Sequence, residues 1–258
     1  MIHDGSPFIL SIETATRAGS FAILKGARVL SRRAGNPDGS HSSDLLHYVR
    51  EMLYETGLSL DQIDLFAVSA GPGSFTGLRI GLATVKSFAA TLSRPCVGVQ
   101  TLHAIAFAAG MSERTLALLP AGRGEVFAQM LAVNQKGDVI ELEEPAHLAP
   151  QVLLKRVKKF PVLLLAGDGV QLMTDALLSD LLGGFTESDS LELTENENEV
   201  GLESRGKHSW LISQHSLPLA ESIGALASSR FLKGEAVTPD LLRAIYVRPS
   251  DAELKGTC

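Results

Sequence analysis

Ala70-Gly71-Pro72-Gly73-Ser74-Phe75-Thr76-Gly77-Leu78-Arg79-Ile80-Gly81 joins a short apolar run to a long stretch of small and apolar residues. Upstream, Leu65-Phe66-Ala67-Val68-Ser69 has the length and unbroken apolar character of a buried strand. Downstream, Leu78 to Leu92 places apolar residues at helical spacing. Between them, Gly71 and Gly73 permit backbone angles or close approaches that other residues resist, and Pro72 stiffens the turn. Ser74 or Thr76 is placed to cap the helix by accepting from an amide of its first turn. A buried strand feeding a capped helix through a glycine turn is an α/β signature, and the rest of the chain is read around it.

Such a turn invites an anion, because free amides and the helix dipole favour negative charge there. Three known chemistries fail on spacing. A Walker loop needs Lys and then Ser or Thr after its last glycine, whereas Leu78 and Arg79 follow Gly77. A dinucleotide fingerprint needs its third glycine three residues after the second; here it comes four later, and no acid ends the next strand, Cys96 to Gln100. A nucleophile elbow needs glycine two residues either side of Ser74, where Pro72 and Thr76 stand. What remains is a tight strand-to-helix turn, with anion contact at Gly71, Gly73, Ser74 or Thr76 open beside it.

The chain of 258 residues is long enough for two modest domains, and 45% apolar residues supply a real core. No apolar run approaches the roughly 18–20 residues that span a bilayer. No basic segment precedes the first apolar run, which Glu13 ends, so no signal peptide and a cytoplasmic protein are expected. Cys96 and Cys258 suggest neither a disulfide framework nor a metal cluster. A net charge of -6 argues against a protein that grips nucleic acid by itself. The acidity is concentrated, however: Glu187 to Glu203 carries seven carboxylates and no Lys or Arg. Lys155-Arg156-Val157-Lys158-Lys159 is a basic cluster at the end of an expected helix, where it complements the dipole.

In order, strands are expected at Phe8–Ile12, Gly19–Leu24 and Arg28–Arg33, a helix from about Asp44 to Thr56, the strand ending at Ala70, the helix after the glycine turn, and a strand after Pro95. The pattern returns as strands at Leu116–Leu119, Val126–Val133 and Val139–Leu142, a helix at Pro150–Lys159, a strand at Val162–Ala166 and a helix at Gln171–Leu182. Two βββαβα units predict a duplicated ribonuclease-H-like, actin-like α/β fold in two lobes. The first lobe spans residues 1–101 and the second 102–216, with an acidic variable segment at 187–209. A closing helix over 217–234 is expected to return to the first lobe, ahead of a tail over 235–258.

The chain resembles the TsaB family, also called YeaZ, of bacterial tRNA threonylcarbamoyladenosine biosynthesis proteins. The resemblance rests on Glu13-Thr14-Ala15-Thr16, His41-Ser42 before Leu45-Leu46, and above all Gly71 to Gly81. Arg123-Gly124-Glu125-Val126-Phe127, Gly167-Asp168-Gly169 and Tyr246-Val247-Arg248-Pro249 add to it. The family usually carries Asp where Glu13 stands, and Asp-Ala-Arg where this chain has Pro120-Ala121-Gly122. The resemblance implies an actin-like pseudoenzyme with no catalytic residue and no cofactor of its own. Its implied partners are TsaD, which transfers threonylcarbamoyl to the adenosine next to the anticodon, and the ATPase TsaE. It also implies self-association when alone and contact with tRNA only through the complex.

Taken by themselves, the residues leave one rival: an actin-like ATPase or kinase using Glu13 for Mg²⁺ and the Gly71–Gly77 loop for phosphate. Thr14, Ala15 and Thr16 stand where a close phosphate approach wants glycine, and Pro120 stands where the second lobe wants its acid. A zinc hydrolase is excluded, because His41 and His47, six apart, point about 120° from each other on a helix. The interaction reading draws on two helices. Along the first, Leu45, Leu46, Val49, Met52 and Leu53 contribute to an apolar arc of roughly 160°, wider than the ~100° that one core uses. On the second, Gly77, Ile80, Thr84, Ser87 and Thr91 form a face of mostly small side chains that would let a partner helix come close. These ten residues are the expected partner interface.

Overall fold

The computed structural model describes residues 5–38, 41–182, 191–196, 199–204, 208–213 and 218–247. Unbroken apolar runs become central strands. β1 (Phe8–Glu13) and β4 (Leu65–Gly71) are buried almost throughout and pair in parallel, as fits a sheet covered on both faces. β2 (Ser20–Lys25) pairs antiparallel with β1, and β3 (Arg28–Ala34), largely solvent-accessible, pairs with β2 at the edge. β5 (Cys96–Gln100) extends the other side, giving the order β3-β2-β1-β4-β5.

Side-chain alternation assigns the faces of this sheet. Leu10, Ile12, Phe21, Ile23, Phe66 and Val68 meet α1 (His41–Thr56) and α2 (Phe75–Leu92) through Leu45, Val49, Met52, Leu82, Val85 and Ala89. The opposite face, with Leu24, receives α6 (Leu219–Leu232), which packs on β1, β2, β4 and β5. A Cβ on Gly224 of α6 would lie 2.3 Å from Leu24 Cδ1, so glycine sets that approach. Beyond α6, the chain runs along β5: Cys96 and Val237 exchange both backbone hydrogen bonds at 2.9 Å, and Leu242 is buried.

The second sheet repeats this order with an addition. β6 (Ser112–Gly122), β7 (Glu125–Val133) and β8 (Val139–Glu141) are antiparallel neighbours, with β9 (Ala146–Leu148) also on β7. β10 (Val162–Ala166) lies parallel to β6, and β13 (His208–Ser213) lies parallel to β10. The order β8-β7-β6-β10-β13 therefore matches β3-β2-β1-β4-β5 in sense and sequence. The hairpin β11 (Leu191–Asn196) and β12 (Glu199–Ser204) is appended beyond β13. α4 (Pro150–Val157) and α5 (Val170–Leu182) cover this sheet, with Leu153, Leu154, Val157 and Met173 in its core. The chain divides into one unit of residues 1–104 with 217–258 and another of residues 105–216. No helix among the described residues is long and apolar enough to cross a membrane.

Several elements depart from the sequence expectation, β9 and β13 among them, since no strand is expected at either place. α3 (Thr101–Ala109) falls where the sequence predicts no helix: TLHAIAFAA has no polar face to reveal a period, and Leu102, Ala104, Ile105 and Ala106 are buried. The expected acidic variable segment at 187–209 contains β11, β12 and the start of β13, so part of it is sheet. The helix expected from Asp44 begins at His41.

Candidate functional site

The glycine turn is held by the turn that follows β1. Ser74 caps α2 by accepting from the Gly77 amide at 3.2 Å, while its own amide donates 2.8 Å to the Ala15 carbonyl. The backbones are in contact: a Cβ on Gly77 would lie 1.9 Å from the Thr14 carbonyl oxygen, and one on Gly73 2.6 Å from that of Ala15. Thr14 Oγ1 donates to the Gly77 carbonyl at 2.8 Å. From the other side Ile245 donates its amide to the Ala70 carbonyl at 2.7 Å, and its carbonyl fills the place of a Gly71 Cβ. The Gly71–Pro72 peptide is cis.

A phosphate would need these amides and this space. Two of the amides are spent inside the chain, and the glycines accommodate backbone from Thr14, Ala15 and Ile245. At Gly71 and Gly73 the space an expected anion would need is taken by backbone, whereas Ser74 and Thr76 are exposed at the first turn. Outside the turn, Phe75 packs on Tyr246 with ring centroids 5.7 Å apart, and the Arg79 guanidinium lies 3.8 Å over Phe75.

Glu13 is 1% exposed. Its Oε1 accepts from the Thr16 amide at 2.7 Å, and its Oε2 from the Thr16 and Ser20 hydroxyls at 2.8 and 3.2 Å. Ser20 Oγ in turn accepts from the Ala220 amide at 3.0 Å, tying this carboxylate to the first turn of α6. Both oxygens are thus committed to the chain's own donors, and the carboxylate is closed off from solvent. Burial pushes the Glu13 carboxyl above its ordinary value, against the downward pull of its hydrogen bonds.

The sign of the resulting pH dependence is fixed. Below the unfolded value of 4.5 both states hold the proton. Above it the unfolded chain releases the proton first, so this group takes stability away as pH rises until the folded carboxyl also ionises. Glu13→Gln keeps the shape, lets the two hydroxyls turn to accept from the new amide, and removes the titration. We expect urea unfolding from pH 4.5 to 7 to show the variant gaining on the wild type as pH rises; parallel profiles would contradict the assignment.

A solved structure of YeaZ from Pseudomonas aeruginosa superposes with a TM-score of 0.68 at 25% identity, covering 93% of this chain and 99% of that one. The Escherichia coli protein named tRNA threonylcarbamoyladenosine biosynthesis protein TsaB is 29% identical over 246 residues, 93% of this chain and 94% of its own length. Its Haemophilus influenzae namesake is 31% identical over 135 residues, 50% of this chain and 56% of its own length. A family model described as TsaD, tRNA N6-adenosine threonylcarbamoyltransferase, matches residues 37–171, a little over half of the chain. The chain belongs to the TsaB (YeaZ) family. Its fold is accordingly the duplicated actin-like, ribonuclease-H-like one.

Against the usual TsaB pattern, Pro120 lies near the end of β6, before a turn in which Gly122, Arg123 and Gly124 all have positive φ. Glu125 pairs with His147 at 2.9 Å across to β9. Among the described residues no group of three or more His, Cys, Asp or Glu could hold a metal ion. His47 sits 3.1 Å from Glu51 on its own helix.

The expected interface residues separate by burial. Leu45, Val49 and Met52 are core side chains, and Gly77 is the contact point with Thr14, so these four are removed from any partner surface. Leu53 and Ile80 are half-buried against the core, and the Thr84 hydroxyl donates to the Ile80 carbonyl at 2.9 Å. Leu46, Ser87 and Thr91 are exposed. Tyr54, outside the expected set, is 88% exposed two turns beyond Leu46, itself 59% exposed. The i, i+4, i+8 spacing sets Leu46, Arg50 and Tyr54 on one exposed face of α1.

Proposed function

We propose that the chain acts in tRNA threonylcarbamoyladenosine biosynthesis as a cytoplasmic, non-catalytic subunit. In this reading it binds and stabilises TsaD and helps to recruit the ATPase TsaE. TsaD then transfers threonylcarbamoyl from threonylcarbamoyl-adenylate to the adenosine beside the anticodon. The observation that carries the non-catalytic part is the filled turn after β1. Where an actin-like enzyme would keep a carboxylate and free amides for a metal–nucleotide, Glu13 is sealed by Thr16 and Ser20, and α2 rests on the Thr14 and Ala15 carbonyls.

Two further observations support the partnership. A transferase family model matches half of this chain, which supports reading TsaD as a protein of related fold that this chain would pair with, and the same surface would let two copies of the chain associate when TsaD is absent. The outer faces of α1 and α2 offer that surface through Leu46, Tyr54, Ser87 and Thr91.

The test is reconstitution with the TsaD and TsaE proteins of the same cell, omitting each in turn, together with ATP turnover by the chain alone. Modification is expected to vanish without the chain, which by itself turns over no ATP. Turnover abolished by Glu13→Ala would overturn the reading.

A further inference from the structure

We propose that the second unit carries a direct RNA-binding surface at the C-terminal end of α4, which grips the phosphate backbone of the tRNA substrate. The proposal rests on the functional reading above for the identity of the RNA, and departs from the expectation that this chain meets tRNA only through its partners.

The chain has a net charge of -6, yet residues 145–167 contain no Asp or Glu and four cations. The fold turns this local excess into a surface. Leu153, Leu154 and Val157 bury one side of α4 in the core of the second unit, which leaves Lys155 and Arg156 on the other side and Lys158 and Lys159 just past its end, all four exposed. Arg114, exposed on β6, joins them in space: its guanidinium lies 5.5 Å over the Phe160 ring, and Lys159 Nζ lies 4.9 Å over the same ring. Phe160 is anchored through its carbonyl, which accepts from Trp210 Nε1 at 3.0 Å. Cations ordered around a half-buried aromatic suit a strand of nucleic acid, whose phosphates need fixed positive charge and whose bases and riboses need a flat apolar contact.

Among the described residues no ion pair engages Arg114, Lys155, Arg156 or Lys159. Glu113 is the neighbouring carboxylate on β6, and Asp168 follows β10. The acid-rich strands β12 and β11 stand two and three places from β10 in the sheet. They set a boundary, since a polyanion is repelled from that edge and confined to α4 and the start of β6. An acidic protein is the other occupant that such charge could take. The observation that favours RNA is that the relatives' own names place tRNA in the pathway.

The experiment uses the full chain with TsaD, TsaE and unmodified tRNA, comparing wild type with Lys155→Gln/Arg156→Gln/Lys159→Gln. The expected result is an intact complex whose KM for tRNA rises about tenfold at unchanged kcat. The slope of log affinity against log salt should fall by about 3, one for each cation withdrawn from a phosphate. Phe160→Leu should weaken binding with little change in that slope. An intact complex with unchanged KM and slope overturns the proposal. Loss of the complex in the triple variant, with tRNA binding by the chain unchanged, assigns the patch to a protein partner and equally overturns it. If the wild-type chain never joins TsaD, the functional reading fails separately. Binding of tRNA to the chain alone, with the same loss in the triple variant, then decides the RNA surface on its own.

Discussion

Gly77→Ala is expected to destabilise the chain by more than about 3 kcal/mol and to lower its Tm by roughly 6–12 °C, although alanine is the better helix former. Two effects oppose each other at this position. Residue 77 lies in the first turn of α2 with no positive φ to demand glycine, so helix propensity alone favours alanine by about 1 kcal/mol. Against it, the new Cβ would stand 1.9 Å from the Thr14 carbonyl oxygen and 3.0 Å from its carbon. Both are backbone atoms of a buried strand end, with no rotamer to turn aside. Relief requires α2 to lift from β1, which breaks the Thr14 Oγ1 bond to the Gly77 carbonyl and the Ser74 amide bond to Ala15. The collision therefore wins. Gly81→Ala is a graded comparison: its Cβ meets Thr14 Oγ1 at 2.3 Å, a side-chain atom that can rotate at the cost of one buried hydrogen bond, so a smaller loss is expected. Thermal unfolding of both variants checks the order, and a Gly77→Ala protein as stable as wild type would show that the two backbones can part freely.

This glycine also shows where the sequence stops being readable. The turn, the Ser74 cap and the strand before it are local, and their residues announce them. The absence of a side chain at 77 announces only that something comes close. Small residues at this spacing predict a partner helix there, whereas the Thr14 carbonyl, 63 residues away along the chain, occupies the place. The surplus apolar arc of α1 misleads for a related reason. A helix beside both a sheet and a neighbouring helix buries a wider arc than one resting on a sheet alone, so Leu45, Val49 and Met52 are all consumed internally. Glu13 is legible as a strand-end acceptor because its donors, Thr16 and Ser20, lie within seven residues.

The duplication is visible in element order, but its completion is not. β13 is the fifth strand of the second sheet, and it follows a hairpin whose carboxylates dominate the local composition. Beneath that charge, Leu191 and Leu193, then Val200 and Leu202, keep the period-two spacing of strands. The tail expected over 235–258 is described as far as residue 247, and there it packs along β5 and the glycine turn; Arg248 and Pro249 lie outside the described residues.

Once core residues are removed from the expected interface, a sharper prediction concerns the partner: Leu46→Glu with Tyr54→Glu should weaken association with TsaD by about a hundredfold or more while leaving the Tm within about 2–3 °C of wild type. Leu46 and Tyr54 are 59% and 88% exposed, so neither change opens a cavity or buries a charge in the chain alone. Between them Arg50 completes an exposed stripe two turns long. On α2, Ala83, Ser87, Ala90 and Thr91 are the exposed residues of the turns that follow Arg79, and none of these four is larger than threonine. A partner helix can therefore approach the α2 backbone closely while a large side chain from α1 closes over it, the arrangement in which truncating a central aromatic costs most. Thr84, at the inner edge of that face, bonds its own helix and makes a poorer target. Glutamate at both α1 positions would bury two unpaired carboxylates in the contact. Co-purification with TsaD measures the outcome, and sedimentation of the chain alone should shift toward monomer in parallel. An undiminished complex from a folded double variant would mean that TsaD docks elsewhere, and would leave these exposed side chains without a role in assembly.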